Sequence, residues 1–212
     1  MWSRRSRPWG VIMDFLVTMT TNVPDGTSEE AVEEVRTREA AHSRALAAQG
    51  HLLRLWRPPL RPGEWRTFGL FAADDPNQLE EVLASMPLRV WRTDEVMPLA
   101  PYPNDPGLAR GGAVEFLITM TIAVPEGTPH QTVEDTKARE AERARELAEL
   151  GHLLRLWTPP AKVGEWRTLG LWRAEEAVEM DEILESLPLH VWMTAETVPL
   201  SEHPNDPAGT QS

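Results

Sequence analysis

The spacing of apolar and polar positions changes period several times along the chain. Residues 14–21 (DFLVTMTT) alternate and carry β-branched and aromatic side chains, which predicts a strand. Val23-Pro24-Asp25-Gly26 reads as a turn. Thr27 and Glu30 then have capping-box spacing, repeated by Thr128 and Gln131. A helix of about twenty residues is expected next, ending at Gly50. Strands are expected over 51–57, 64–72 and 89–97, with a proline-rich loop (Pro58-Pro59, Pro62-Gly63) after the first and a short helix over 76–85. The tail PYPNDP closes the unit. The order β-α-β-β-α-β is the split ferredoxin-like pattern.

The pattern is then written a second time. An offset of 101 residues aligns nearly the whole chain without a gap, and about half of the paired positions are identical. Gly50-His51-Leu52-Leu53-Arg54-Leu55-Trp56 meets Gly151-His152-Leu153-Leu154-Arg155-Leu156-Trp157, and Asn104-Asp105-Pro106 meets Asn205-Asp206-Pro207. The expected organisation is an N-terminal extension over 1–12, one domain over 13–106, a linker over 107–113 and a second domain over 114–208. The Arg4-Arg5 pair invites an export reading. However, the segment behind it, MDFLVTMTTNVP, recurs as VEFLITMTIAVP and so reads as structure rather than leader, with Met13 an alternative start.

Alternation places His51, Leu53 and Leu55 on one face of the second strand and Leu52, Arg54 and Trp56 on the other. Both faces carry apolar residues and need cover, so sheet is expected to pack on sheet, with the two repeats forming an intrachain pseudo-dimer.

Composition narrows the function. The formal charge of −12 over 212 residues is repelled by phosphate backbones, which argues against nucleic acid. With no cysteine, disulfides, thiolate metal sites and a cysteine nucleophile are excluded. No apolar run is long enough for a transmembrane helix, so no membrane partner is expected. Phosphate-cradling glycine motifs, HExxH spacing and a GxSxG elbow are missing as well, and no metal site is expected.

What remains is polar residues in apolar places. On a helical wheel Glu39 lies in the face made by Val32, Val35, Ser43 and Leu46, and Glu140 lies in that of Val133, Ala144 and Leu147. A carboxylate there pairs with a cation or shifts its pKa, and is a candidate general base. His51 and His152 follow the helix-ending glycines and could donate to a substrate oxygen, or bond the helix end. Arg54, Arg155, Arg66 and Arg167 sit on strands among apolar residues and want an anion. That anion is either a substrate carboxylate or a protein partner such as Glu39 and Glu140. Trp56/Trp157, Trp65/Trp166 and Trp91/Trp192 recur as pairs, packing in a core or sheet interface or lining a small-molecule pocket. One carboxylate, one histidine and two arginines per repeat suit cofactor-free proton transfer on a small anionic molecule.

The segments MDFLVTMT, REA around Glu39, GHLLRLWRPP, GEWRTFGLF, MPLRVW and PYPNDP, taken in order, resemble the muconolactone Δ-isomerase family, and each repeat does so over nearly its full length. The resemblance implies an α+β fold of two ferredoxin-like domains of the dimeric α+β barrel type. It also implies cofactor-free migration of a double bond in an unsaturated lactone, muconolactone to the enol-lactone of 3-oxoadipate, a step of aromatic compound breakdown in the cytoplasm. Glu39 and Glu140 inherit the base role best, with His51 and His152 as further catalytic candidates. Arg54, Arg155, Arg66, Arg167, Trp56 and Trp157 are the candidate substrate contacts. The family's subunits carry one copy and assemble as oligomers, so a homo-oligomer of pseudo-dimers is expected. The family's strand-two histidine falls where Arg54 stands, which is a second departure. The alternatives on this fold are a cofactor-free monooxygenase or a non-catalytic small-molecule-binding protein.

Overall fold

A computed structural model describes residues 12–107 and 114–209. Most of the expected extension (residues 1–11) and of the linker (residues 108–113) lies outside the described residues. The first repeat runs β1 (Met13–Thr21), α1 (Glu29–Gln49), β2 (Leu52–Arg57), β3 (Arg66–Ala73), α2 (Pro76–Ser85) and β4 (Arg92–Pro101). A 3₁₀ turn over Pro87–Trp91 leads into β4, so that strand starts later than the apolar pattern suggested. The second repeat runs β5 (Val114–Ile122), α3 (His130–Glu149), β6 (Leu153–Thr158), β7 (Trp166–Ala174), α4 (Ala177–Glu185) and β8 (Met193–Glu202).

Helix starts differ from the expected capping boxes. Ser28 caps α1 by accepting from the Ala31 N–H at 3.2 Å, while the Thr27 hydroxyl donates back to the Pro24 carbonyl at 2.7 Å. Thr128 likewise bonds Pro125, and Pro129 at the start of α3 has no capping side chain. The neighbouring turn captured both threonines because a hydroxyl can bond its own local backbone as readily as a helix end. Gly50 closes α1 at φ 82°, a left-handed conformation that an L side chain resists.

Each repeat forms an antiparallel sheet in the order β4-β1-β3-β2, or β8-β5-β7-β6. The two sheets do more than face each other. Trp56 and Arg57 of β2 pair with Glu202 and Ser201 of β8, and Ala100 and Pro101 of β4 pair with Thr158 and Trp157 of β6. The eight strands thereby close into one barrel and leave no open sheet edge. Leu16, Trp56, Leu70 and Leu99 meet Leu117, Trp157, Leu171 and Leu200 inside it. The helices cover the outside, each repeat having its own core between helix and sheet.

The simple alternation expected for the second strand fails. A register shift between Leu52 and Arg54 places Leu52 and Leu55 together on the helix side, and Leu53 with Trp56 in the barrel interior. Such a bulge adds a residue, so equivalent positions fall three apart rather than two. The same shift occurs between Leu153 and Arg155.

Candidate active site

Glu39 is buried in the middle of α1, at 6% exposure. One carboxylate oxygen accepts from the Leu88 N–H at 2.9 Å, offered by the 3₁₀ turn, and the other accepts from Arg92 Nη1 at 3.3 Å. Arg92 is itself held by Asp94, whose carboxylate lies 2.6 Å from Nε. Burial raises the pKa of the Glu39 carboxyl above the ordinary glutamate range, against the lowering pull of the Leu88 N–H and the Arg92 charge. Arg92 had no signal in the periodicity, which read it as one more residue of a strand. Its one mark in the sequence is a mismatch, since Met193 stands at the paired position.

Glu39 and Arg92 line a cavity of about 370 Å³ between α1 and the sheet, a size suited to a small ligand. Met19, Leu55 and Trp65 give it apolar walls, and Thr21, Thr67 and Ser43 add hydroxyl groups. Arg36, Arg44 and Arg57 also line it, Arg36 lying over the Trp65 ring at 5.6 Å. Four arginines against two glutamates, Glu33 and Glu39, make this lining cationic in a chain of net charge −12. A pocket with that balance attracts a small anion.

The other repeat completes the cavity. His203, Pro204 and Asn205, from the tail after β8, form part of the lining. The His203 Nδ1 accepts from the Asn205 N–H at 3.1 Å, which leaves the proton of the neutral ring on Nε2 as a donor. Burial, helped by the Arg57 charge, lowers the His203 pKa to about 4, so the ring is neutral near pH 7.

The remaining candidates lie elsewhere. Arg54 does not pair with Glu39; it ties the repeats together. Its Nη2 meets Glu115 at 2.7 Å and Asp206 at 3.0 Å, and its guanidinium lies over the Trp56 ring at 4.8 Å. Burial alone would lower the arginine's pKa, but the bonds to Asp206 and Glu115 outweigh it and the net shift is upward. Trp56 donates from Nε1 to Glu115 at 2.6 Å. Arg155 and Trp157 make the mirror-related set with Asp14 and Asp105. The Asp of each PYPNDP-type tail is therefore a cross-repeat anchor, a role that its turn-like sequence concealed. His51 and His152 fix the helix exits, their Nδ1 atoms 3.1 Å from the carbonyls of Ala72 and Arg173. Arg66 and Arg167 are partly exposed beside Glu64 and Glu165, each at 3.9 Å. None of these eight side chains is among those lining the cavity.

In the second repeat Glu140 accepts from the Leu189 N–H at 2.9 Å. Burial raises its pKa against that bond. Its cavity is about 50 Å³ and has Met193 where Arg92 stands in the first repeat.

Comparison with solved structures relates the fold to chlorite dismutases. A variant of the enzyme from Candidatus Nitrospira defluvii superposes with a TM-score of 0.59 at 11% identity, covering 93% of both chains. A second protein described as a chlorite dismutase gives 0.59 at 10% identity, over 91% of this chain and 96% of that one. At such identity the likeness concerns the fold alone. Sequence comparison is more specific. Muconolactone Delta-isomerase 1 of Acinetobacter lwoffii is 33% identical over 92 residues, 43% of this chain and 93% of that protein. The muconolactone Delta-isomerase of Rhodococcus opacus is 31% identical over 91 residues, 43% of this chain and 95% of that protein. Each relative thus spans one repeat. The model of the muconolactone delta-isomerase family matches twice, over residues 13–105 and 114–206, and the chain belongs to that family as a tandem duplication of its domain.

Proposed function

We propose that the cavity of the first repeat moves a double bond in a small unsaturated lactone carrying a carboxylate, with muconolactone as the substrate, without a cofactor. The observation that carries this reading is a buried glutamate of raised pKa beside a buried arginine, in an otherwise apolar and cationic cavity.

The γ-proton of a butenolide is acidic because its loss gives a conjugated dienolate. Glu39, as carboxylate, takes that proton and then returns it to the α-carbon, so the double bond shifts from α,β to β,γ and the atoms are conserved. A raised pKa brings the carboxyl closer to working pH, where one group both accepts and donates well. The negative charge that develops on the lactone carbonyl oxygen is met by Arg92 and by neutral donors such as His203 Nε2–H, already oriented before reaction. Arg36 and Arg57 hold the carboxylate arm. The chlorite dismutase likeness does not bear on this chemistry, since one fold hosts many reactions. The family and its reaction also favour a cytoplasmic setting and an assembly of several such chains. Among the described residues no helix is long and apolar enough to cross a membrane. The domain limits that go with this reading are 13–106 and 114–208, joined by 107–113.

The test is Glu39→Gln, which keeps an acceptor for the Leu88 N–H but cannot carry the proton. Isomerisation of muconolactone, followed by ultraviolet absorbance, is expected to fall about 10²–10⁴-fold. Undiminished turnover in the variant would remove Glu39 as the base, and a wild-type chain inert on muconolactone would remove the isomerase reading.

A further inference from the structure

The two repeats align position by position, yet their cavities differ about sevenfold in volume, about 370 Å³ against 50 Å³. The smaller space admits a few waters and no ring-sized ligand. Specific replacements change the lining as well. Arg92 becomes Met193, Thr21 becomes Ile122 and Ser43 becomes Ala144, so the guanidinium and two hydroxyls are exchanged for apolar atoms.

The largest change is Phe71 to Trp172. Each ring folds over a glycine on its own strand, Phe71 over Gly69 and Trp172 over Gly170. The phenyl ring stays in the helix-side core and does not line the larger cavity, whereas the indole is part of the wall of the smaller one. Trp172 is 1% exposed, and its Nε1 finds no hydrogen-bond acceptor among the described residues. The indole is bulkier than the phenyl ring and takes up space at the wall of the smaller cavity. Among the described residues no cation bonds Glu140 as Arg92 bonds Glu39: Glu140 accepts from the Leu189 N–H, and Lys137 on the same wall pairs with Glu134. Meanwhile the second repeat's tail supplies His203 to the large cavity, where the first repeat's tail supplies Tyr102 to the small one.

We propose that the chain has one working centre, in the first repeat, and that the second repeat has become its support, with a cavity packed shut and a tail that completes the working site. The proposal rests on the isomerase reading for what the centre does, but not for how many centres there are. Two measurements on the full chain separate these points. The first is calorimetric titration with the saturated lactone acid, (5-oxotetrahydrofuran-2-yl)acetate, which has the ring and carboxylate of muconolactone but no double bond to move. One equivalent per chain is expected, unchanged in Glu140→Gln; two equivalents overturn the proposal. The second is muconolactone turnover. Glu140→Gln is expected to keep roughly nine-tenths of wild-type activity and Glu39→Gln less than about a hundredth, as for a single essential group. Loss of about half in each variant, or of nearly all in Glu140→Gln, overturns the single centre. Should the wild-type chain leave muconolactone unchanged, the isomerase reading fails alone, and the calorimetric count still decides between one site and two.

Discussion

Glu39 and Glu140 occupy the same place in the same fold, and each accepts a 2.9 Å bond from the N–H that follows a Met-Pro or Leu-Pro step. What separates them is everything a ligand would touch. Around Glu39 are Arg92, with Asp94 behind it, and space; around Glu140 are Met193 and the Trp172 indole, and Ala195 stands at the position of Asp94. The scaffold and the chemistry of a site are thus separable. The helix and the N–H of the 3₁₀ turn keep the carboxylate in place in both repeats, while the side chains around it differ.

The most forceful way to break the contrast is Arg92→Met, which gives the first repeat the second repeat's residue. Turnover of muconolactone is expected to fall about 10²-fold or more through loss of a preorganised cation. Arg92 also helps the Leu88 N–H to hold the Glu39 pKa down, so its removal weakens the opposition to burial and moves that pKa further up. In the proposed reaction the carboxylate is the active form, so the rise of rate with pH should shift to higher pH in the variant. A pH–rate profile that stays in place would show that Arg92 does not couple to the base.

A smaller effect tests the ties between repeats, which are nearly but not fully symmetric. Asp206 has a side chain 1% exposed, whereas Asp105 is at 13%. Removing Asp206 strands more of its arginine's charge in a dry place. Asp206→Ala is expected to cost about 3 kcal/mol in urea unfolding, and Asp105→Ala about 1–2 kcal/mol. Equal losses would mean that burial does not set the strength of these anchors.

The smallest effect concerns His203. Its folded pKa of about 4 lies below the ordinary value of 6.5, so protonation favours the unfolded chain. The stability it allows is fully present above pH 6.5 and is lost as pH falls towards 4. Since the ring is partly exposed, the difference reaches at most about 2 kcal/mol. His203→Gln should flatten the decline of stability over that window, measured by thermal unfolding at a series of pH values. A decline as steep as the wild type's would show that the ring is not desolvated in solution.

Much of this was legible in the sequence. The alternation of β1, the long amphipathic helix and the Gly50 stop are local signals, and the repeat made each of them visible twice. Glu39 stood out because a charge in an apolar helical stripe breaks a pattern. Arg92 did not, because it follows a 3₁₀ turn and Glu39, 53 residues away, becomes its neighbour only in the fold. Arg54 and Trp56 stood open between an interface tie and a substrate contact for a related reason. They are polar groups among apolar ones, as a ligand site would have, but their anions Glu115 and Asp206 come from the other repeat. Binary patterning cannot tell an interface tie from a substrate contact. It also cannot register the bulge at Leu52, which is a backbone event that changes no residue type.

The two seams of the barrel, β2 with β8 and β4 with β6, join halves that belong to a single polypeptide. Two separate subunits would have to find each other, and their stability would depend on how concentrated they were. Here the halves are tethered, and closing the barrel is a first-order event that dilution does not disturb. The tether has a genetic side as well. In a pair of identical subunits every substitution appears in both sites at once, so a tryptophan that fills one cavity would fill both. In a fused pair a mutation is felt once, and one half is free to carry methionine where the other carries arginine.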